Sequence, residues 1–98
     1  MPETIAFEGL QTIATVEEAH ARLCAVLARH SDIEIDLAGV AEADVAFIQL
    51  LLATRVSVAA AGGRLAWRST DSPAVRSVLA RCGVCADRLF EPTKGEPQ

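Results

Sequence analysis

The sequence has no tyrosine, one tryptophan and no surplus of basic residues. Thirteen Asp and Glu residues outnumber nine Lys and Arg, which gives a formal net charge of −4. A nucleic-acid-binding protein needs cations to neutralise phosphates, and single strands also stack their bases on aromatic rings. We therefore predict that the chain has no nucleic-acid partner.

The sequence also lacks a long hydrophobic run. After Gln49 the longest uninterrupted apolar stretch ends at Thr54 and Arg55, far short of the roughly 20 residues needed to cross a bilayer. The first residues, "MPETIAFEG", carry an acid where a secretory signal has basic residues, and no long apolar region follows. We expect a soluble cytoplasmic protein without direct membrane insertion.

The chain has only three cysteines, an odd number, and we find no export signal. This combination favours reduced thiols over a disulfide scaffold. The motif "CGVC" places Cys82 at the end of a predicted helix, whereas redox-active pairs place the first cysteine at a helix N-terminus. The other candidate metal ligands, Cys24, His20 and His30, lack the spacing of a structural zinc site. We expect buried thiols that pack as small hydrophobes, with no metal and no cofactor. A thiol redox protein using Cys82 and Cys85 stays as an alternative.

No arrangement typical of catalysis is present. His20 and His30 have no Ser or Cys at a recognisable catalytic spacing, and no glycine-rich loop with a lysine could hold phosphate. The acids of "EADV" are neighbours in a loop, where carboxylates are usually solvated. We predict that the chain is not an enzyme and has no catalytic residues.

Apolar periodicity predicts alternating strands and helices in the order β, α, β, α, β, α, β. The predicted strands are "TIAFEG", "IEIDLAG" ending at Gly39, "RLAWR" and the edge strand "RLFE". The predicted helices run from Val16 to about Arg29, from Ala46 to the Gly62-Gly63 pair, and over "SPAVRSVLARC" with Gly83 as the stop.

This order predicts an α/β fold in one small domain. We expect a four-stranded mixed sheet with about three helices packed mainly on one face, since Glu34 and Asp36 alternate with apolar neighbours. The domain is predicted to cover residues 3–91. The remainder, 92–98, has the composition of a disordered C-terminal tail. In the second helix, five apolar residues follow helical spacing, namely Ile48, Leu51, Leu52, Val56 and Ala59.

The stretch "DLAGVAEADVAFIQLLLATRVSVAAAGGRLAW", followed by "SPAVRSVLARCGV", resembles the STAS domain. Anti-sigma factor antagonists and the cytoplasmic tails of sulphate transporters share this fold, and the resemblance runs from about Ile5 to Phe90. Gln49, the leucines after it and Trp67 are similar to small STAS proteins encoded with bacterial chemotaxis kinases. They are also similar to the STAS subunit of the phospholipid-transport ATPase that maintains outer-membrane asymmetry.

The resemblance implies a docking site where the second strand meets the second helix. In the family, the Ser or Thr that follows the aspartate of this motif is phosphorylated to release the partner. Here Asp44 matches the aspartate, Val45 stands at the phosphoacceptor position without a hydroxyl, and Phe47 stands at a family glycine. We expect a degenerate phosphosite at Val45 and partner binding by five residues: Asp44, Val45, Ala46, Phe47 and Gln49.

Two of these residues have two interpretations. Asp44 is either a helix cap alone or also a carboxylate that faces the partner. Phe47 is either a core residue or an exposed anchor beside the loop. If regulation lies within this chain, the alternative hydroxyls are those of Thr54, Ser57, Ser69 and Thr70.

These observations predict a non-catalytic protein-protein interaction module in bacterial signalling, anti-sigma factor antagonist-like or chemotaxis-associated. The expected partner is a protein: an anti-sigma serine kinase, a chemotaxis kinase or a transporter ATPase. The alternative is a STAS regulatory subunit of a phospholipid-transport ABC ATPase. A homodimer is left open, because exposed strand edges pair easily.

Overall fold

A computed structural model of the chain describes residues 3–91 and the backbone of residues 93–94. The elements, in chain order, are β1 (Glu3–Gln11), α1 (Val16–Leu27), β2 (Asp32–Ala43), α2 (Val45–Ala60), β3 (Arg64–Ser69), α3 (Pro73–Cys82), α4 (Ala86–Leu89) and β4 (Thr93–Lys94). Of the predicted tail, 92–98, residues 92 and 95–98 lie outside the described part. Within the described residues, no helix combines the length and the apolar character needed to span a bilayer.

The strands lie in the order β1-β2-β3-β4, and the three long ones, β1, β2 and β3, run parallel. In its register Ile5 lies opposite Ile35, and Ile35 lies opposite Trp67. Parallel neighbours need a crossover connection, and α1 and α2 provide the two crossovers. The predicted small α/β domain is thus confirmed.

The sheet is mixed, because β4 pairs antiparallel with β3, but the predicted place of the fourth strand is wrong. The segment "RLFE" is not a strand, because its first two residues end α4 and Leu89 is buried. The guanidinium of Arg55 donates to the backbone oxygens of Leu89 (2.9 Å) and Glu91, which holds this turn against α2. Only the two residues of β4 pair antiparallel with the start of β3.

One face of the sheet carries the core. Ile33, Ile35 and Leu37 of β2 are buried, whereas Glu34 and Asp36 between them are half-buried and within 4.0 Å of the exposed Arg68 side chain. This alternation is typical of a sheet that packs helices on one side and leaves charged groups on the other. The buried and the charged side chains of β2 therefore lie on opposite faces of the sheet.

Strand β2 is longer than predicted and does not end at Gly39. It continues to Ala43, and the pairing with β1 is irregular between Ala6 and Glu8, where Glu8 lies opposite Gly39. A Cβ added at Gly39 would lie 2.9 Å from Cγ of Glu8. The glycine therefore permits a close approach at a bulge instead of ending the strand.

Helix α3 is fixed to the end of β2 by Ser72. This fully buried N-cap residue accepts a hydrogen bond from the Val75 amide (3.2 Å) and donates one to the Val40 carbonyl (3.1 Å). Pro73 follows in the first turn and Gly83 ends the helix at a φ of 76°, as predicted. The C-terminal end of α3 lies beside the first turn of α2.

Candidate functional site

Asp44 caps α2 with one carboxylate oxygen. Its Oδ1 accepts hydrogen bonds from the amides of Ala46 (3.0 Å) and Phe47 (3.4 Å). Both amides belong to the first turn, where the helix has no preceding turn to supply acceptors, and the Phe47 amide also donates to the Asp44 carbonyl at 3.2 Å. The predicted cap is therefore confirmed.

The second oxygen of Asp44 holds a different part of the chain. Its Oδ2 accepts a hydrogen bond from the Ile13 amide at 2.8 Å, and the Asp44 amide donates to the Gln11 carbonyl at 3.3 Å. Residues 12–15, which we call the β1–α1 loop, are thereby attached to the start of α2. With both oxygens engaged inside the chain, this half-buried carboxylate positions the site.

We expect replacement of Asp44 by alanine to lower the free energy of unfolding by about 2 kcal/mol, because the cap and the loop contact are both lost. The Asp44→Asn variant keeps one acceptor oxygen for the helix amides and should lose roughly half as much. Urea unfolding followed by the fluorescence of Trp67, the single tryptophan, measures both. An alanine variant as stable as the parent would contradict the assignment.

An exposed apolar stripe runs along α2 and away from Asp44. It consists of Val45, Gln49, Leu52 and Val56, which we call the α2 stripe, and all four side chains are exposed. Their spacing of four, three and four residues places them on one side of the helix. The opposite side packs into the core through Phe47, Ile48, Leu50, Leu51, Thr54 and Val58.

The hydrophobic side chains of the α2 stripe are unusually open to solvent. Val45 is 50%, Leu52 37% and Val56 70% exposed, and together they are three of the five large hydrophobic side chains exposed in the described part of the chain. A fourth, Ile13, is 70% exposed in the loop that Asp44 holds. Clustered apolar exposure of this kind marks interaction surfaces.

The structure corrects the expected binding role of Phe47. Its side chain is 1% exposed and its ring packs edge-on against Phe7, with ring centroids 5.3 Å apart. Phe47 is therefore a core residue, and Ala46 beside it is half-buried. Val45 and Gln49 are the predicted binding residues whose side chains reach solvent.

The helical spacing of the apolar residues in α2 does not identify its buried side. Ile48 and Leu51 are buried, whereas Leu52, Val56 and Ala59, which share that spacing, are exposed. Helix α2 is apolar around most of its circumference, so spacing alone could not identify the buried side. The apolar character around the whole helix was itself the sequence signal for a second contact surface, since a helix of this kind needs contacts on every side.

A shallow groove joins the start of α2 to the end of α3. Its lining residues are Asp44, Val45, Val78, Arg81 and Cys82, and its volume is about 270 Å³. The groove continues the exposed surface from Val45 towards the last turn of α3. The positive charge of Arg81 lies on its far wall.

The alternative hydroxyls differ in their access to solvent. Thr54 is buried and its hydroxyl donates to the Leu50 carbonyl at 2.8 Å, so a modifying enzyme cannot reach it in the folded chain. Ser69 and Thr70 are half-buried and accept hydrogen bonds from the Asp71 amide and the Arg76 guanidinium. Ser57 is exposed on α2.

The expectation of buried thiols is wrong. All three cysteines are free and exposed, including Cys82 at the end of α3 and Cys85 just before α4. Cys24 lies 3.4 Å from Nε2 of His20, four residues earlier on α1. Among the residues that the structure describes, no three potential metal ligands come together.

Comparison with known proteins gives one match. A family model described as "Mlab, STAS domain" matches residues 2–90, nearly the whole chain. The comparison with curated proteins gives no match.

Proposed function

The chain belongs to the STAS domain family, and we propose that it is a non-catalytic module that binds a protein partner through the α2 stripe and the β1–α1 loop. The exposed apolar surface of Val45, Leu52 and Val56 carries this proposal. Burying such side chains stabilises a complex by about 25 cal/mol per Å² of apolar area. Asp44 supports the surface from within by fixing the loop to the helix.

The partner binds without a phosphorylation switch at the start of α2. Val45 is exposed at the position where the family resemblance places a Ser or Thr, and its side chain has no oxygen to accept a phosphoryl group. Thr54 is unavailable because it is buried. The complex therefore persists until another event changes the surface.

The first candidate partner is a kinase of bacterial signalling, either an anti-sigma serine kinase or a chemotaxis kinase. The resemblance of the Asp44 to Gln49 segment to the family's docking element supports it. In this role the chain occupies the kinase continuously, and the partner or its other ligands supply the regulation.

The second candidate is a transporter ATPase, with this chain as its STAS subunit. The apolar character of the α2 stripe favours it, because permanent interfaces are more hydrophobic than transient ones. Such an interface also requires no phosphoacceptor. Affinity purification of the tagged chain from the source bacterium tests the shared proposal, and recovery of no specific protein would contradict it.

Replacing Val45 by serine tests the serine-kinase candidate. With an anti-sigma serine kinase as partner and ATP, we expect phosphoryl transfer to the new hydroxyl, because the side chain at this position is exposed at the helix start. The resulting dianion adds bulk and charge and should release the partner. Mass spectrometry of the recovered chain detects the phosphate, and the Val45→Ala variant controls for the smaller side chain. Retained binding without phosphoryl transfer would exclude the serine kinase.

A further inference from the structure

The "CGVC" segment lies at the edge of the proposed docking surface. Cys82 lines the same groove as Asp44 and Val45, and both Cys82 and Cys85 are free and exposed. The chain thus places a pair of accessible thiols three residues apart, one of them beside the residue that lacks the family's hydroxyl. Neither thiol contributes to the core.

A sharp turn lies between the two cysteines. Helix α3 ends at Cys82, and Gly83 adopts the left-handed conformation at a φ of 76°, which a glycine reaches without strain. The Val84 amide then donates to the Leu79 carbonyl at 3.1 Å, which turns the chain sharply back before Cys85. A disulfide requires Cα atoms about 4.4–6.8 Å apart, and only two residues, Gly83 and Val84, separate Cys82 from Cys85.

We propose that Cys82 and Cys85 form a thiol modification site that reacts with a low-molecular-weight disulfide of the glutathione class and thereby weakens partner docking at α2. This inference rests on the proposed function, because it assigns a regulator to the same surface. It supplies a reversible covalent event beside the docking surface, where Val45 prevents phosphorylation.

The chemistry is two successive thiol–disulfide exchanges. In the first, one cysteine loses its proton and its sulfur attacks the small disulfide, forming a mixed disulfide and releasing one small thiol. In the second, the other cysteine attacks the protein sulfur of that mixed disulfide and expels the second small thiol. The two cysteines are oxidised to one disulfide, and the small disulfide is reduced to two thiols.

The modification affects docking because Cys82 lines the groove beside Asp44 and Val45. In the mixed disulfide on Cys82, a charged tripeptide fills the space of about 270 Å³ beside Val45. In the internal disulfide, the Cys82 sulfur is drawn towards Cys85, which moves the wall shared with Arg81. Each state changes the surface next to the first turn of α2.

The chemistry is tested on the free chain in a Cys24→Ser background, which removes the third exposed thiol. The sample is titrated with mixtures of reduced and oxidised glutathione and followed by mass spectrometry and by amide NMR shifts. We expect a loss of two hydrogens that excess reductant reverses, with shifts at the Asp44 and Val45 amides. In the Cys85→Ser variant, a glutathione adduct should remain on Cys82. Absence of the internal disulfide, or unchanged amides at 44 and 45, would overturn the proposal.

The effect on docking is tested with the partner recovered by affinity purification. We expect the oxidised chain to bind at least tenfold more weakly than the reduced chain, and the Cys82→Ser, Cys85→Ser double variant to bind equally in both buffers. Equal binding of oxidised and reduced chain would refute the regulatory role. If charged substitutions in the α2 stripe leave binding intact, the docking proposal fails. The glutathione titration of the free chain still decides whether the two cysteines react as proposed.

Discussion

Replacing Phe47 by alanine is expected to lower the free energy of unfolding by about 3–5 kcal/mol, the range for removing a buried aromatic side chain. The ring is 1% exposed and contacts Phe7 of β1 at an interplanar angle of 76°. It therefore joins α2 to the first strand through the core. The guanidinium of Arg22 lies 5.0 Å from the centre of the Phe7 ring and covers the other side of this pair.

Urea unfolding followed by Trp67 fluorescence measures this effect. The Phe47→Leu variant retains much of the apolar volume and should lose about 1–1.5 kcal/mol. Gln49→Ala, on the exposed side of the same helix, should change stability by less than about 0.5 kcal/mol. If Phe47→Ala and Gln49→Ala lost equal amounts, the burial of the ring would be refuted.

This result also determines which variants can test docking. A change at Phe47 alters the core beneath the site, so weaker binding by such a variant would report a damaged fold. Asp44 has the same drawback, because its carboxylate holds both the helix start and the β1–α1 loop. Docking is therefore tested at exposed positions of the α2 stripe.

The second large effect is expected from placing glutamates at Leu52 and Val56 together. These side chains are 37% and 70% exposed, so the double change should alter stability by about 1 kcal/mol or less. Burying two carboxylates without partners in an apolar interface is unfavourable. We expect affinity for the partner to fall at least about 30-fold, the size typical of losing a binding hot spot of 2 kcal/mol or more.

The matched control for this variant is Ala21→Glu with Ala25→Glu on α1. Both alanines are exposed, and the control adds the same charge to a different helix. Isothermal titration or pull-down of the recovered partner should show near-parental binding for the control. Equal losses in the two double variants would indicate a general charge effect and would count against the α2 stripe.

Asp44 shows what could be predicted from local sequence. An aspartate directly before a long apolar run is a strong capping signal, because the bonds it makes lie within three residues. Its bond to the Ile13 amide could not be predicted in this way, since it joins residues 31 positions apart. Only the folded sheet brings β1 and the end of β2 together.

Helix α2 shows why its exposed side was missed. Leu52 and Val56 follow the same helical spacing as the buried residues of this apolar helix. The packing of α1 and α3 against the sheet decides which side is covered. Sequence periodicity identifies a buried side only where polar residues mark the opposite one.

The segment "RLFE" shows a tertiary effect that overrides a short local pattern. Four residues carry too little periodicity to distinguish a strand from a helical turn. In the structure, Leu89 is buried and the Arg55 side chain binds the backbone oxygens at the end of α4. Because Arg55 belongs to α2, the sequence of the segment alone does not indicate this contact.

Site-specific photo-crosslinking in the source bacterium tests the proposed docking surface most directly. A photoreactive residue replaces Val56 in one sample and the exposed Ala25 of α1 in the other. We predict that illumination joins the chain covalently to one protein through position 56 and not through position 25. Crosslinking of the same partner through position 25, with none through position 56, would show that the α2 stripe is not the docking surface.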